Sequence, residues 1–188
     1  AIRCGDIDND GDLDLLVGHI RKVTMYRNDE GTLDPEPAWV ARVGVGWVLR
    51  LALGDYDNDG FLDLAVASNG QLGDPNSIKV YRNDTGTLDT LASYTMLTGD
   101  RYSSCVAWGD VDGDGWLELA AGGWWEDADV FENNGGSLET SPAWSWSPPN
   151  PTDLVCETVM WGDIDNGSLQ PVTERFSGDG QTSLFSFR

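Results

Sequence analysis

The sequence predicts an all-β protein, and three observations carry this prediction. An acidic loop occurs three times, as GDIDNDGDLDL at 5–15, GDYDNDGFLDL at 54–64 and GDVDGDGWLEL at 109–119. A second turn rich in Asn, Asp and Gly follows each loop, at 28–34, 83–89 and 133–139. The segments between these turns are short apolar runs typical of strands, and helical periodicity is absent.

The spacing of the loops predicts a repeat of about fifty residues. The first acidic positions, Asp6, Asp55, Asp110 and Asp163, lie 49, 55 and 53 residues apart by subtraction. Each unit offers four strand-like segments, and four strands per fifty-residue unit without a helix predict a β-propeller of four-stranded antiparallel blades. Within one propeller segment, 1–188, we expect blades at 1–45, 46–99 and 100–150 and a degenerate or truncated fourth at 151–188.

The strands of the first unit follow from its turns. Residues 1–4 enter the acidic loop, 13–17 leave it, 22–27 follow, and 38–43 close the unit. The second unit repeats this order with a polar insertion at 68–77, and the third runs from about 102 to 147. In the segments before each Gly-Asp, the residues on both faces of the expected strand are mostly small or apolar. This pattern predicts an innermost strand that is buried on both faces. Cys4, Cys105 and Cys156 lie in or near these segments, where we expect them to act as small core hydrophobes.

The acidic loops have the donor pattern of a calcium site. Carboxylates stand at loop positions one, three, five and nine, and four like charges so close together repel unless a cation lies among them. Calcium takes about six to eight oxygen ligands at roughly 2.3–2.6 Å. Glycine at position six lets the chain turn the next carbonyl, at position seven, toward the metal. The predicted ligands of about three Ca²⁺ sites are Asp6, Asp8, Asp10, Asp12, Asp14, Asp55, Asp57, Asp59, Phe61, Asp63, Asp110, Asp112, Asp114, Trp116 and Glu118.

Three alternatives bear on these loops. An EF-hand would need a Glu at position twelve and flanking helices, but that position holds Val17, Val66 or Ala121. A solvated Asp/Gly hairpin without metal explains one loop better than three full donor sets. Magnesium and manganese fit a flexible loop less well than calcium does. The fourth unit supplies Asp163 and Asp165 without the later carboxylates, so we do not predict a complete site there.

The loop and turn together resemble FG-GAP/VCBS-type repeats, which occur in integrin α-subunit propellers and in many secreted propellers. The resemblance covers residues 1–147 and, in part, 156–165. It implies that calcium joins the first and second strands of each blade through the ligands named above. Propellers close with about four to eight blades, so we expect either the remainder of a longer propeller or self-association through blade edges.

The net charge of the chain argues against some classes of binding partner. The formal net charge is −21, which makes nucleic acid and anionic membrane surfaces poor partners. The sequence has no apolar run of transmembrane length and no signal peptide, so we expect no membrane insertion. Calcium at extracellular concentration and the resemblance together predict a secreted or cell-surface location.

We predict a non-catalytic module that binds a glycan or an extracellular protein. If the acidic loops and the Asn/Asp/Gly turns share one face, the remaining connections lie on the opposite face. Trp47, Tyr102, Trp124 and Trp125 would be displayed there and could stack on sugar rings.

Two alternatives to a binding module stay open. A secreted propeller enzyme acting on polysaccharide, a glycosidase or lyase, would need a carboxylate pair, for which Glu126, Asp127 and Asp129 are candidates. The single histidine, His19, argues against a Ser/His/Asp triad or a His-rich catalytic metal site. A purely structural or adhesion repeat is the other alternative.

Overall fold

The computed structural model describes residues 1–70, 77–97, 102–124, 127–147, 150, 156–162, 175–178 and 181–184. Every regular element in these residues is a β-strand. The described residues contain no helix that is long and apolar enough to cross a bilayer. The strands are β1 (Ile2–Gly5), β2 (Asp14–Gly18), β3 (Ile20–Tyr26), β4 (Asn28–Asp29), β5 (Thr32–Leu33), β6 (Trp39–Gly54), β7 (Asp63–Asn69), β8 (Ser77–Tyr81), β9 (Tyr94–Leu97), β10 (Tyr102–Gly109), β11 (Glu118–Trp124), β12 (Ala128–Phe131), β13 (Trp144–Trp146), β14 (Arg175–Gly178) and β15 (Gln181–Leu184).

All strand pairs described are antiparallel, and they confirm the predicted all-β, propeller-like fold. Seven strands form one sheet in the order β1-β2-β3-β6-β7-β8-β9, and four form a second in the order β10-β11-β12-β13. The short pair β4-β5 is the first Asn/Asp/Gly turn, and β14-β15 is a separate hairpin near the C-terminus. We call β1, β2, β3 and the first part of β6 the first blade, the rest of β6 with β7–β9 the second, and β10–β13 the third.

The first and second blades share one strand, β6, which was not predicted. Its first part pairs with β3, from Trp39 opposite Met25 onward, and its second part pairs with β7 as far as Gly54 opposite Asp63. The predicted boundary between residues 45 and 46 falls inside this strand. Gly44 and Gly46 have φ values of 101° and 89°, and a Cβ on Gly46 would lie 1.7 Å from the Asn69 carbonyl oxygen. The chain therefore bends here without a loop, because glycine alone fits this backbone.

The blades pack face to face through alternate residues of the same strands. In β7, Leu64 and Val66 join the cluster between the first and second blades, whereas Ala65 and Ala67 join the cluster between the second and third. This alternation follows from the two-residue period of a strand. In β6, Leu51 and Ala52 divide between the two clusters in the same way, as predicted for an innermost strand.

The innermost strand of the first blade departs from that prediction. Arg3 donates to the Leu51 carbonyl at 2.8 Å, so the alternate residues Ile2 and Cys4 point away from the second blade. Ile2 is 66% exposed, and Cys4 is exposed as well. No blade within the described residues lies against this outer face, which is why β1 is not buried on both sides. Cys4 is therefore not the core residue that we predicted, whereas Cys105 is fully buried and Cys156 is half-buried.

One side-chain packing contact repeats at the blade interfaces. The residue before each Gly-Asp packs on the corresponding glycine of the preceding unit: Leu53 lies over Gly5, Trp108 over Gly54 and Trp161 over Gly109. A Cβ built on Gly54 would lie 2.7 Å from the Trp108 ring, closer than van der Waals contact allows. The repeated Gly-Asp glycine is therefore a packing surface for the next unit as well as the start of a loop.

Candidate metal centres

Each acidic loop is closed by its first carboxylate. Asp6 accepts hydrogen bonds from the backbone N–H groups of Asp10 and Gly11, at 3.1 and 3.0 Å. The second loop repeats both bonds with Asp55, Asp59 and Gly60, and in the third Asp110 accepts from Gly113 and Gly115. Position six has φ values of 97°, 91° and 93° in the three loops. The shape that the three loops share therefore depends on the position-one carboxylate and a left-handed glycine.

The carboxylate at loop position nine is buried at the start of the second strand. Asp14, Asp63 and Glu118 are 1%, 0% and 2% exposed. Asp63 accepts from the backbone N–H groups of Tyr56 and Asn83, at 3.0 and 2.7 Å. Asp14 accepts from the equivalent N–H groups of its own unit, those of Ile7 and Asn28, and Glu118 accepts from Val111 N–H at 2.8 Å. Position nine thus joins the loop to the second strand.

Three carboxylates converge in each loop. In every group one oxygen from each of the three side chains lies within 4.8 Å of the other two. The groups, which we call the three acidic triads, are Asp6, Asp8 and Asp10; Asp55, Asp57 and Asp63; and Asp110, Asp112 and Glu118. These oxygen clusters could hold a metal ion, since three hard anionic donors at this separation suit a divalent cation.

The other predicted ligands lie beside the triads. Asp14, Asp59 and Asp114 are outside the groups of converging oxygens. The position-seven residues Asp12, Phe61 and Trp116 were predicted to bind through their carbonyls, and their N–H groups donate to the position-five carboxylates at 2.8–2.9 Å. The Asp12 carboxylate also accepts from Glu30 N–H at 2.7 Å, which ties the loop to the neighbouring turn.

One oxygen in each triad is buried and accepts no hydrogen bond within the described part of the chain. These atoms are Asp8 Oδ1, Asp57 Oδ1 and Glu118 Oε1. A buried carboxylate oxygen without a donor is costly, because burial removes the water that would solvate its charge. The residues present therefore fit a cation, which would supply the missing partner in all three loops.

Burial shifts the proton equilibria of the position-nine groups. Burial raises the pKa of Asp63 to about 7, and the nearby carboxylates of Asp57 and Asp59 add to the shift against two backbone N–H donors. Burial likewise raises the pKa of Glu118 to about 7, with Val111 N–H opposing the shift. The pKa of Asp14 is also raised, chiefly by burial. A bound cation would reverse these shifts by favouring the ionised form.

Two arginines that we did not predict as site residues contact the first two loops. Arg27 makes an ion pair with Asp8, and Arg82 contacts Asp57 at 2.5 Å and Asp59 at 3.1 Å. The corresponding residue of the third blade is Glu132. A comparison of the three repeats could have identified this position, because the residues that lead into the second turn read YRND, YRND and FENN. The first two loops therefore have a guanidinium beside the triad, and none of the described residues supplies one to the third.

The acidic loop of one blade contacts the turn of the next. Asn83 donates to the Ile7 carbonyl at 2.7 Å and to the Leu62 carbonyl at 3.1 Å. Asn133 repeats this arrangement with Tyr56 and Leu117, at 2.7 and 3.0 Å. Adjacent loops are also linked directly, from Asn9 to the Gly60 carbonyl and from Asn58 to the Gly115 carbonyl. The loops and turns thus share one face of the structure, and each candidate centre is coupled to its neighbour.

The predicted ligand-binding residues lie at the other ends of the strands. Tyr102 and Trp124 are direct cross-strand partners at the open end of β10 and β11. Trp47 pairs with Ile20 and is 43% exposed. A shallow groove of about 570 Å³ is lined there by His19, Ile20, Trp47 and Leu49, among others. Trp125 lies outside the described residues.

Three residues of the enzyme alternative, His19, Asp127 and Asp129, lie in the described part of the chain. His19 Nε2 lies 2.9 Å from Thr24 Oγ1, and its backbone joins β3 and β6. Asp129 accepts from the Ser145 hydroxyl at 2.5 Å within the third blade. Glu126, Asp163 and Asp165 lie outside the described residues.

Comparison with known proteins agrees with this geometry. Residues 6–66 and 66–121 each match the family model described as FG-GAP-like repeat. The two matched segments start at or just after an acidic loop and together cover more than half of the chain. No curated protein matches the sequence.

Proposed function

The chain belongs to the FG-GAP-like repeat family, and on that premise we propose that it is a calcium-stabilised extracellular propeller module that binds a glycan without catalysing a reaction. The observation that carries the metal part is the buried oxygen without a hydrogen-bond donor in each acidic triad. The glycan part is supported by the aromatic side chains at the opposite ends of the strands.

Calcium is the cation that these donors favour. Each triad consists of carboxylate oxygens, and the loop around it is an exposed turn held by its own backbone N–H groups. Calcium accepts irregular oxygen coordination, whereas magnesium demands near-ideal octahedral geometry and gives up its water reluctantly. Extracellular modules of this chemistry often bind calcium with Kd on the order of 10⁻⁴–10⁻³ M. A site of that affinity would be occupied at the calcium concentration outside cells.

Isothermal titration calorimetry of the metal-free chain with CaCl₂ tests the metal assignment. We expect binding at about three sites, and weaker binding when MgCl₂ replaces CaCl₂. The variant Asp112→Asn removes charge from the third triad and should remove one site. Retention of the full stoichiometry in this variant, or equal affinity for the two cations, would contradict the assignment.

The groove beside Trp47 is the best-supported ligand surface. Ile20 and Leu49 are 61% and 38% exposed next to it, so the groove offers an apolar platform with the indole at its edge. Sugar rings stack on such surfaces through their C–H faces, and nearby polar groups accept their hydroxyl hydrogen bonds. Tyr102 and Trp124 supply a second aromatic pair at the same ends of the strands.

A glycan array probed in calcium tests this surface. We expect binding to one glycan class, and a loss of roughly 5- to 150-fold in affinity for Trp47→Ala, since a buried stacking contact is worth about 1–3 kcal/mol. Leu91→Ala is the matched control, because Leu91 is 82% exposed and lies outside the groove. If the chain bound no glycan and instead bound a protein through the same groove, the proposed ligand would be a protein and the glycan proposal would be wrong.

Turnover assays separate the module from the enzyme alternative. A panel of polysaccharides incubated with the chain in calcium should show no new reducing ends and no unsaturated products. Release of either product, lost in Asp127→Asn or Asp129→Asn, would support a carboxylate-dependent glycosidase or lyase instead.

A further inference from the structure

Two cysteines far apart in sequence meet at the interface between the third blade and the segment that follows it. Cys105 Sγ lies 3.2 Å from Cys156 Sγ, although the two residues are 51 positions apart in the sequence. Cys105 is fully buried in β10, whereas Cys156 is half-buried at the start of the segment 156–162. The two thiols are therefore within hydrogen-bond distance of each other and are not linked by a disulfide, and Cys156 is the more exposed residue of the two.

Gly122 provides the space in which the two sulfurs meet. A Cβ built on Gly122 would lie 3.1 Å from Cys156 Sγ and 3.4 Å from Cys105 Sγ. Any larger residue at this position of β11 would crowd the pair. Neither of the other blades places two cysteines in this way, since Cys4 is exposed on the outer face of the first blade.

Backbone hydrogen bonds hold Cys156 against the third blade, and its sulfur also lies 3.6 Å from the Thr158 carbonyl oxygen. The Cys156 N–H donates to the Gly123 carbonyl at 3.1 Å, and its carbonyl accepts from the Ser104 hydroxyl at 2.5 Å. Further along the same segment, Trp161 Nε1 donates to the Ala107 carbonyl at 3.3 Å and Arg50 donates to the Glu157 carbonyl at 2.7 Å. The segment thus holds Cys156 against Cys105 by backbone docking, which is the preorganisation that a disulfide requires.

We propose that Cys105 and Cys156 form a disulfide that fastens residues 156–162 to the third blade when the protein meets a low-molecular-weight disulfide such as oxidised glutathione. The Cys156 thiolate attacks one glutathione sulfur and releases the first glutathione thiolate. The Cys105 thiolate then attacks Cys156 Sγ and releases the second. Two protein thiols lose two electrons and two protons in total, and one glutathione disulfide is reduced to two thiols.

The bond would act on the stability of the third blade. It closes a loop of about fifty residues, which restricts the unfolded chain and so favours the folded state. For a chain of this size we expect the unfolding temperature to rise by roughly 5–10 °C on oxidation. This inference does not depend on calcium binding or on the ligand groove.

The test uses the Cys4→Ser variant, which retains only the two cysteines of interest. The folded variant is equilibrated with oxidised and reduced glutathione, quenched with acid, alkylated and weighed intact. We expect the loss of two hydrogens, no bound glutathione and no alkylation. Cleavage after glutamate then isolates the linked peptides, whereas trypsin would leave both cysteines in one peptide because no Lys or Arg lies between residues 102 and 174.

Two outcomes would overturn the proposal. One is that both thiols remain alkylated under conditions that oxidise an exposed thiol, with Cys4 of the unmodified protein as the internal control. The other is glutathione retained on Cys156 without transfer to Cys105. A thermal scan of oxidised Cys4→Ser with and without dithiothreitol compares one sequence with itself, so a folding defect in a second variant cannot confuse the result. An unchanged unfolding temperature would contradict the predicted fastening.

Discussion

Asn83 in the second blade donates a side-chain N–H to the main-chain carbonyl of Ile7 in the first acidic loop, at 2.7 Å. The same amide donates to Leu62 in its own loop. One buried side chain therefore holds two loops at a fixed separation. Because Asn133 repeats the arrangement one blade further on, the candidate metal centres form a connected row.

Removal of this amide should destabilise the interface between the first two blades. Asn83→Ala removes the donor from the buried Ile7 carbonyl and from the partly buried Leu62 carbonyl, and we expect a loss of about 1–3 kcal/mol in the free energy of unfolding. Asn28→Ala is the matched control, because its amide donates to the Leu13 carbonyl at an exposed site and to no other described residue. Urea unfolding at fixed calcium measures both. Equal losses in the two variants would mean that the bond between blades contributes nothing.

The glycine of the Gly-Asp pair should tolerate no side chain where a following unit covers it. In Gly54→Ala the new methyl group would meet the Trp108 ring at 2.7 Å, so the ring must move and we expect a loss of about 1–3 kcal/mol. Gly162→Ala is the control, since a Cβ there meets none of the described atoms within 4 Å. Thermal unfolding compares the two, and a Gly54→Ala variant as stable as Gly162→Ala would contradict the packing.

Arg82 should compete with calcium for the second triad. Its guanidinium contacts Asp57 and Asp59, so Arg82→Ala removes a positive charge from the loop and raises its calcium affinity by about 2–5-fold, the range expected for a partly exposed pair. Calorimetry measures the change. Arg42→Ala, an exposed arginine on β6, is the charge-matched control. An affinity that falls in Arg82→Ala would mean that the arginine supports the site instead.

The calcium-free protein should lose stability as the pH rises. The pKa values of Asp63 and Glu118 are raised to about 7, so their contribution to stability is complete below the ordinary carboxyl pKa and is lost as the pH rises through about 7. In calcium-free buffer we expect the unfolding temperature to fall between about pH 4 and pH 7, the range from the ordinary carboxyl pKa to the raised one. Calcium should remove this fall, because it binds the ionised forms. The double variant Asp63→Asn, Glu118→Gln should show a flatter profile, and a profile unchanged by these substitutions would exclude the two groups as its cause.

Most of the fold followed from the repeats. The acidic loops and the Asn/Asp/Gly turns mark strand ends locally, so strands and antiparallel order could be predicted from spacing alone. The sharing of β6 could not, because it depends on Gly44 and Gly46 replacing a loop by a bend. The exposure of Ile2 and Cys4 was missed for a related reason: whether a strand face is buried depends on which unit lies against it, and an apolar pattern does not report that.

The clustering of the carboxylates in each loop was predictable from the sequence, whereas the residues that surround each cluster were not. Alternating carboxylates identified the three loops, because the donor pattern lies within nine residues. The contact of Arg82 with Asp57 and the bond from Asn83 to Ile7 join residues 25 and 76 positions apart. Such contacts depend on register and blade packing. Alignment of the three repeats would have shown that the asparagine recurs and that the arginine is replaced in the third repeat. It would not have shown which residues these side chains contact.

Thermal unfolding with and without calcium tests the central claim most directly. A cation that binds only the folded state raises its stability by about 2.7 kcal/mol per site at a hundred times Kd. We predict a large rise in unfolding temperature in millimolar calcium, reduced in Asp8→Ala and in Asp57→Ala and unchanged in Glu36→Ala, an exposed acid outside the loops. No rise in the unmodified chain, or the same rise in all four proteins, would contradict the assignment of the acidic triads as calcium sites.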